Sequence, residues 1–325
     1  MTSSSFALST ILAPAKINLH LMITATLADG RHALDTSFAF IDVCDSLHIT
    51  DSKQLSVRCS IVSLSGEKNL VFQVLQALKE KHRVQQGLDI YIDKKLPAEA
   101  GLGGGSSDAA SALLAANQRW GLQLSKQELI DFSANFGADI PCFLFGKASL
   151  ATGIGEKLIP YPEAMPCAYV CLARPNKGLS TKEVFQHFDH QEHKRNQLFL
   201  KDKNRHNQIQ KEASELHKTQ SPLTHQASAD TIRAASQGKV SIGENALEKS
   251  AIALLPEVGL LLQAMRQKGG LAWMSGSGST CIALCSTQQQ ASLLANNLQQ
   301  KGLASWTHAG KLLDKHPAFV NNIGA

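Results

Sequence analysis

Residues 97–110 read PAEAGLGGGSSDAA, with Gly101, Gly103, Gly104 and Gly105 crowded into five positions ahead of Ser106 and Ser107. Glycine lets the backbone adopt φ > 0 and lets an anion come close to the chain. A loop that leaves a strand and opens a helix adds unpaired N–H groups and the positive end of the helix dipole. The alternating run 88–92 and the Ala/Leu-rich run 106–117 supply that strand and that helix. The guest such a loop suits is a nucleoside triphosphate. It is not a Walker A loop, because Ser106-Ser107 stand where Lys-Ser or Lys-Thr is required. Nor is it a dinucleotide fingerprint, whose glycine spacing and acid about 20 residues on are both missing. A glycine-rich turn with no ligand is the bland alternative, and four glycines with Ser-Ser-Asp at a helix start outweigh it.

Two further groups bear on transfer chemistry. Lys16, in APAKINL, heads a strand whose following residues are apolar, and Asp139, in GADIPC, stands on a turn before an apolar run. An aspartate beside a lysine stays ionised at neutral pH and accepts a hydroxyl proton, while the lysine offsets charge on a phosphoryl group in flight. Taken singly, each fits a surface salt bridge or a turn-stabilising Asp. Other candidates also have plain readings: Asn69 as a helix N-cap, His32 as a surface turn residue, Phe185 as a helix core residue, Gly276 and Gly278 as a tight strand connection.

The elements that must position these groups fall into two blocks. Strands are expected near 8–11, 18–25, 38–41, 46–49, 55–59 and 88–92, and helices over 69–82, 106–117 and 126–136. After Pro160 a second block is expected: a strand over 168–173, a helix over 256–267, strands over 271–274 and 280–285 flanking Ser-Gly-Ser-Gly, a helix over 288–300 and a strand near 305–308. Alternating elements with short loops suggest a small split βαβ, ferredoxin-like sandwich there. The predicted class is α+β in two domains, 1–162 and 163–325, as 325 residues exceed one typical core.

Composition excludes more than it assigns. Apolar residues make up 43% and no run approaches the ~18 needed for a membrane span. The N-terminus lacks a basic region before its short apolar run, so cytoplasm is the default. Seven scattered cysteines imply no disulfide framework, and Cys167, Cys171, Cys281 and Cys285 read as buried thiols rather than zinc ligands. The net charge of +5 is concentrated: residues 189–240 hold nine Lys/Arg against six Asp/Glu. That Gln/His/Lys/Ser-rich segment reads as a solvated, mobile insertion, not a nucleic-acid tail or metal site, although six of twelve histidines fall between His187 and His225.

Three ordered stretches, PAKINL from Pro14, LPAEAGLGGGSSDAA from Leu96 and MSGSGSTCIAL from Met274, resemble the three motifs of the GHMP kinase superfamily. ADGRH from Ala28, EKNL from Glu67, GADIPCFL from Gly137 and Arg174-Pro175 through Thr181 and Phe185 are similar to one branch, kinases acting on cytidine diphosphate methylerythritol in the non-mevalonate isoprenoid route. The resemblance implies a ribosomal protein S5 domain 2-like N-terminal domain and a ferredoxin-like C-terminal domain. It implies an ATP- and Mg²⁺-dependent kinase of a small molecule, phosphorylating the C2 hydroxyl, with no nucleic-acid or membrane partner. By position it assigns Lys16 and Asp139 to the transfer step, Asp139 as base. Pro97, Gly101, Leu102, Gly103, Gly104, Gly105, Ser106 and Ser107 would surround the ATP phosphates, with Asn69 and Lys94 nearer the nucleoside. Asn18, His32, Thr181 and Phe185, with Asp139, would line the acceptor pocket, Phe185 and a second aromatic sandwiching the cytosine. Branch members often carry Tyr before the histidine, where this chain has Arg31, whose guanidinium plane can also stack on a base. The alternatives are another kinase of the superfamily, for mevalonate, homoserine or a sugar, or a non-catalytic nucleotide sensor. Asp139 argues against homoserine kinases, ADGRH against sugar kinases, and the pair Lys16 and Asp139 against a sensor.

Overall fold

The computed structural model describes residues 8–162, 168–194, 242–268 and 270–320. Strand β1 (Ser9–Thr26) pairs antiparallel with β2 (His32–Ser52) through a turn in which Asp29 accepts the Arg31 N–H. Two strands were expected in each of these spans, and each is one long strand. Bulges make the difference: the register slips between Pro14 and Ala15, where a residue without an N–H interrupts the ladder, and again between Asn18 and His20. Strand β3 (Ser56–Cys59), helix α1 (Leu70–Lys81) and strand β4 (Gly87–Asp93) follow, then helices α2 (Gly104–Arg119), α3 (Lys126–Ser133) and α4 (Ile140–Phe145) and strands β5 (Ser149–Thr152) and β6 (Lys157–Pro160). Helix α2 starts two residues before the expected 106. Helix α4, read from sequence only as an apolar run, is too short for periodicity to mark.

The second block opens with β7 (Tyr169–Arg174) and helix α5 over 181–194. Residues 189–194, expected to begin a solvated insertion or loop, are thus helical, and 195–241 lie outside the described residues, as does Cys167. Helices α6 (Glu248–Leu254) and α7 (Pro256–Gln267), strands β8 (Ala272–Met274) and β9 (Cys281–Cys285), helix α8 (Gln288–Gln300), strand β10 (Trp306–Leu313) and the short α9 (Pro317–Val320) complete it. Its four strands run in the order β10-β7-β9-β8, all antiparallel, which is the ferredoxin-like arrangement. Among the described residues no helix is long and apolar enough to cross a membrane.

The two blocks share one sheet. Trp306 to Lys311 pair with β7, and then Leu312 and Leu313 pair with Ile41 and Phe40 of β2, so β10 joins the order β3-β4-β2-β10-β7-β9-β8. One core lies among α1, α2, α4 and the first strands, around Phe40, Leu75 and Phe143; a second gathers Leu247, Leu261, Met265 and Leu298. A third packs Ile17, Leu19 and Leu102 of the first block against Leu172, Trp273 and Ile282 of the second. Chain order does not fully divide the blocks, because Ala318 and Phe319 return to the first core.

Candidate active site

Strand β1 carries Lys16 and Asn18 two residues apart, hence on one face. Both are buried among apolar strands, and each polar group has a partner. The Lys16 ammonium lies 3.4 Å from Asp139 Oδ2, donates to Asn18 Oδ1 at 2.8 Å and sits 5.2 Å from the centre of the Phe38 ring. Asn18 in turn donates from Nδ2 to Thr36 Oγ1 at 2.8 Å, and Thr36 donates to the His20 carbonyl, which fixes the amide with its oxygen toward the lysine. Asp139 stands at the N-terminal end of α4 without capping it, its side chain 38% exposed. The two residues singled out for transfer chemistry therefore meet.

The glycine loop lies directly beside them. Lys16 N–H donates to the Leu102 carbonyl at 3.0 Å, stitching the loop to β1. Gly103 adopts φ +70°, and a Cβ there would stand 2.9 Å from the Phe143 ring and 3.1 Å from Lys16 Cγ, so only glycine fits. Helix α2 follows, with Ser107 N–H to the Gly103 carbonyl as its first bond. The N–H groups of Gly104, Gly105 and Ser106 precede that ladder and have no partner within the helix, the kind of helix end to which anions are suited. Ser107 does not belong with them. Its N–H is spent in the helix, its hydroxyl is fully buried without a partner, and it does not line the cleft, because its helical position turns it toward the core.

Below the loop, Lys94 bridges two carboxylates, Asp45 and Asp108, the latter at 2.7 Å. Asp45, wholly buried, also accepts the N–H groups of Lys95 and Leu96 at 2.6 and 2.8 Å. Asp108 Oδ1 has no partner. Burial, against the pull of Lys94 and with the push of Asp45, raises the Asp108 carboxyl to about 7. Burial lowers the Lys94 ammonium, but the two carboxylates outweigh it and hold its pKa above the usual lysine value. Lys94 reaches the cleft with its charge already engaged. Asn69 is similarly occupied: its Oδ1 caps α1 through Val71 N–H at 2.8 Å, and its Nδ2 donates to the Leu64 carbonyl, so the plain capping reading holds while the residue also lines the cleft.

The third motif closes over the first two. Ser275 Oγ accepts Asn18 N–H at 3.2 Å and donates to the Gly101 carbonyl at 3.0 Å, and Thr280 N–H donates to the Ala100 carbonyl. Gly101 has φ +73°, and a Cβ on it would meet the Ser275 carbonyl at 2.3 Å. Asn245 Nδ2 holds the Met274 and Gly276 carbonyls from the other side.

At the far end of the cleft His32, at the start of β2, stacks on Phe185 of α5 with centroids 4.8 Å apart, and its Nε2 lies 2.7 Å from Asp189 Oδ1. Thr181 shares a 2.8 Å hydrogen bond with Ser277. Arg31 turns to Asp29 at 2.7 Å, so in this structure His32, not Arg31, faces Phe185. One cleft of about 960 Å³ joins both ends, running past Pro97, the glycine loop, Lys16, Asn18 and Asp139 to His32, Thr181 and Phe185. Its two ends are polar in different ways, the N–H groups of a helix start at one and an aromatic slot with a carboxylate at the other.

The region 69–147 matches the family model for the GHMP kinases N terminal domain, and 225–304 that for the GHMP kinases C terminal. The 4-diphosphocytidyl-2-C-methyl-D-erythritol kinase of Bacillus velezensis is 33% identical over 313 residues, 94% of this chain and 98% of that protein. The chain belongs to that kinase family. The enzyme of the same name from Psychromonas ingrahamii is 45% identical over 177 residues, an alignment that spans 54% of this chain and 61% of that protein. Among solved structures, a 4-(cytidine 5'-diphospho)-2C-methyl-D-erythritol kinase superposes with a TM-score of 0.69 at 28% identity, covering 94% of this chain and 99% of that one. The Cytophaga hutchinsonii homoserine kinase, at 16% identity and TM-score 0.61, shares the fold. As members of the GHMP kinases, 4-diphosphocytidyl-2-C-methyl-D-erythritol kinases use ATP and act on a small molecule.

Sequence reasoning missed Thr36, Asp45, Asp189 and Asn245, all of which hold site residues in place. Each stands outside the three motifs, and its partner is distant in the chain, so spacing carried no signal. Asp108 was in view, inside GGGSSDAA, but its burial against Lys94 was not legible there.

Proposed function

We propose that this protein transfers the γ-phosphoryl group of ATP to the C2 hydroxyl of 4-diphosphocytidyl-2-C-methyl-D-erythritol. The observation that carries the reading is the Lys16–Asp139 pair, 3.4 Å apart, set between the glycine loop and the His32–Phe185 end of one cleft. Relatives of that name, aligned over most of the chain, support the choice of acceptor. The ATP phosphates would lie on the N–H groups of Gly104, Gly105 and Ser106, with Gly101 and Gly103 giving room and Pro97 and Leu102 shaping the loop. The nucleoside would extend toward Asn69 and Lys94. The cytosine would lie against Phe185 and beside the edge of the His32 ring, with Asn18 and Thr181 facing the diphosphate and polyol.

In the transfer step the C2 oxygen attacks the γ-phosphorus as the bond to the β–γ bridging oxygen breaks. Asp139 takes the hydroxyl proton, and Lys16 offsets the charge on the equatorial oxygens. Asn18 keeps the ammonium in place through its pinned Oδ1. Mg²⁺ takes most of its six ligands from phosphate oxygens and water. Ser106 and Asp139, which line the cleft beside the glycine loop, would be the residues to hold it, and the ion would supply charge neutralisation. The two-domain division near residue 162 and a cytoplasmic location belong to the same reading.

The test is ADP release from Mg·ATP with 4-diphosphocytidyl-2-C-methyl-D-erythritol, beside mevalonate, homoserine and galactose. Turnover restricted to the cytidine compound is expected. Turnover with another of these alcohols alone would keep the kinase and discard the acceptor.

A further inference from the structure

Phe185 and Asp189 lie four residues apart on α5 and so present to one side of the helix. Both engage a single imidazole. The His32 ring lies on Phe185 at 4.8 Å with 26° between planes and meets the edge of Phe188 at 6.3 Å, while its Nε2 is 2.7 Å from Asp189 Oδ1. The ring is buried, with only 7% of the side chain exposed, and it lines the same cleft as Asp189. An ionised carboxylate can only accept a hydrogen bond. At this distance it therefore fixes the ring proton on Nε2, and in the neutral imidazole Nδ1 is left as the acceptor.

We propose that Asp189 is a positioning residue for base selection: by keeping the His32 proton on Nε2 it presents an acceptor nitrogen that admits a 4-amino pyrimidine and rejects a 4-oxo pyrimidine. This rests on the reading of the aromatic slot as the base site. A cytosine 4-amino group is a donor and pairs with the acceptor, whereas uracil offers a carbonyl in the same place, leaving two acceptors facing each other. A buried site built around one hydrogen bond discriminates strongly because the wrong partner leaves the group unpaired. Phe185 contributes area without preference, since both bases have the same flat face.

Two measurements on the full-length protein decide the matter. Nitrogen-15 NMR of histidine-labelled protein reads the His32 tautomer directly. The Nε2–H form is expected in the wild type, with a mixture in Asp189→Ala and Asp189→Asn; an Nδ1–H form in the wild type overturns the proposal. Titration calorimetry with CDP and UDP reads selectivity without requiring turnover. The wild type should prefer CDP by at least tenfold, and both variants should lose most of that ratio, with Asp189→Glu recovering part of it. Equal weakening of CDP and UDP would reduce Asp189 to a structural contact and overturn the proposal. Retained CDP preference in a wild type that phosphorylates no cytidine substrate would instead count against the proposed reaction and leave base selection standing.

Discussion

Replacing Lys94 with methionine would remove one cation from between two buried carboxylates while keeping the volume of the side chain. Asp45 is wholly buried and Asp108 is 3% exposed. Asp45 would keep the N–H groups of Lys95 and Leu96, but Asp108, whose Oδ1 already lacks a partner, would lose the hydrogen bond that Lys94 gives its Oδ2. Stranding one member of a buried ion pair costs about 3–5 kcal/mol. Asp108 has an escape in taking up a proton, since burial already lifts its carboxyl to about 7 and loss of Lys94 lifts it further. The sign follows from that direction. A folded state that holds a proton which the unfolded carboxyl sheds near pH 4 loses stability as pH rises, by at most about 1.4 kcal/mol per unit, until the folded group ionises. In the wild type this loss ends near pH 7, whereas in Lys94→Met it continues above. Urea unfolding should therefore show a deficit of about 3–5 kcal/mol at pH 8 and a clearly smaller one at pH 6. Adding Asp108→Asn to the variant should recover stability at pH 8 and flatten the pH dependence. A deficit below about 1 kcal/mol at pH 8, or one equal at pH 6 and 8, would refute the reasoning.

Asp139→Asn should lower kcat by ~10²–10⁴ while ATP still binds, as seen by comparing single turnover with equilibrium nucleotide binding. Gly103→Ala places a side chain at φ +70° against the Phe143 ring and should cost about 1–3 kcal/mol and raise the KM for ATP, measured by unfolding and initial rates. His316 is buried among Phe40, Phe143 and Phe319, and burial lowers its pKa to about 3. Its folded value lies below the unfolded value near 6.5, so stability present above pH 6.5 should fall by up to about 1.4 kcal/mol per unit as pH drops toward 3. His316→Asn, which keeps a short acceptor near Ala318 N–H, should show a shallower acid slope in a pH series of unfolding midpoints.

What the chain discloses of itself depends on distance along it. The glycine loop was legible because phosphate recognition, turn and helix start occupy adjacent residues, and α1, α7 and α8 were legible because their apolar faces repeat at helical spacing. The long strands β1 and β2 were not, since bulges at Pro14 and after Asn18 break the alternation that would have joined their halves. Lys16 and Asp139 were recognisable only in company, as their pairing spans most of the first block. The burial of Ser107 was not legible, because a motif does not show which face of the helix its residues occupy.

The missing Walker lysine has a physical explanation in the same geometry. A P-loop carries its cation within the loop, while here the cation comes from another strand: Lys16 Cγ lies 3.1 Å from where a Gly103 Cβ would stand, and the Lys16 N–H binds the Leu102 carbonyl. A cation borrowed through space must be held by something other than chain connectivity. The hydrogen bonds supply it as a closed cycle: Lys16 to Leu102, Gly101 to Ser275, Ser275 to Asn18 and Asn18 back to the Lys16 ammonium. Trp273 Nε1 adds a bond to the Asn18 carbonyl at 2.8 Å from within the apolar layer that joins the two blocks. No member of such a cycle shifts without straining the others, so the second block sets where the lysine of the first block stands. Phosphoryl transfer asks little covalent work of a protein and much positioning, and a misplacement of about 1 Å costs roughly a hundredfold in rate. The third motif therefore acts on the geometry of the cleft through the strand and loop that it holds together.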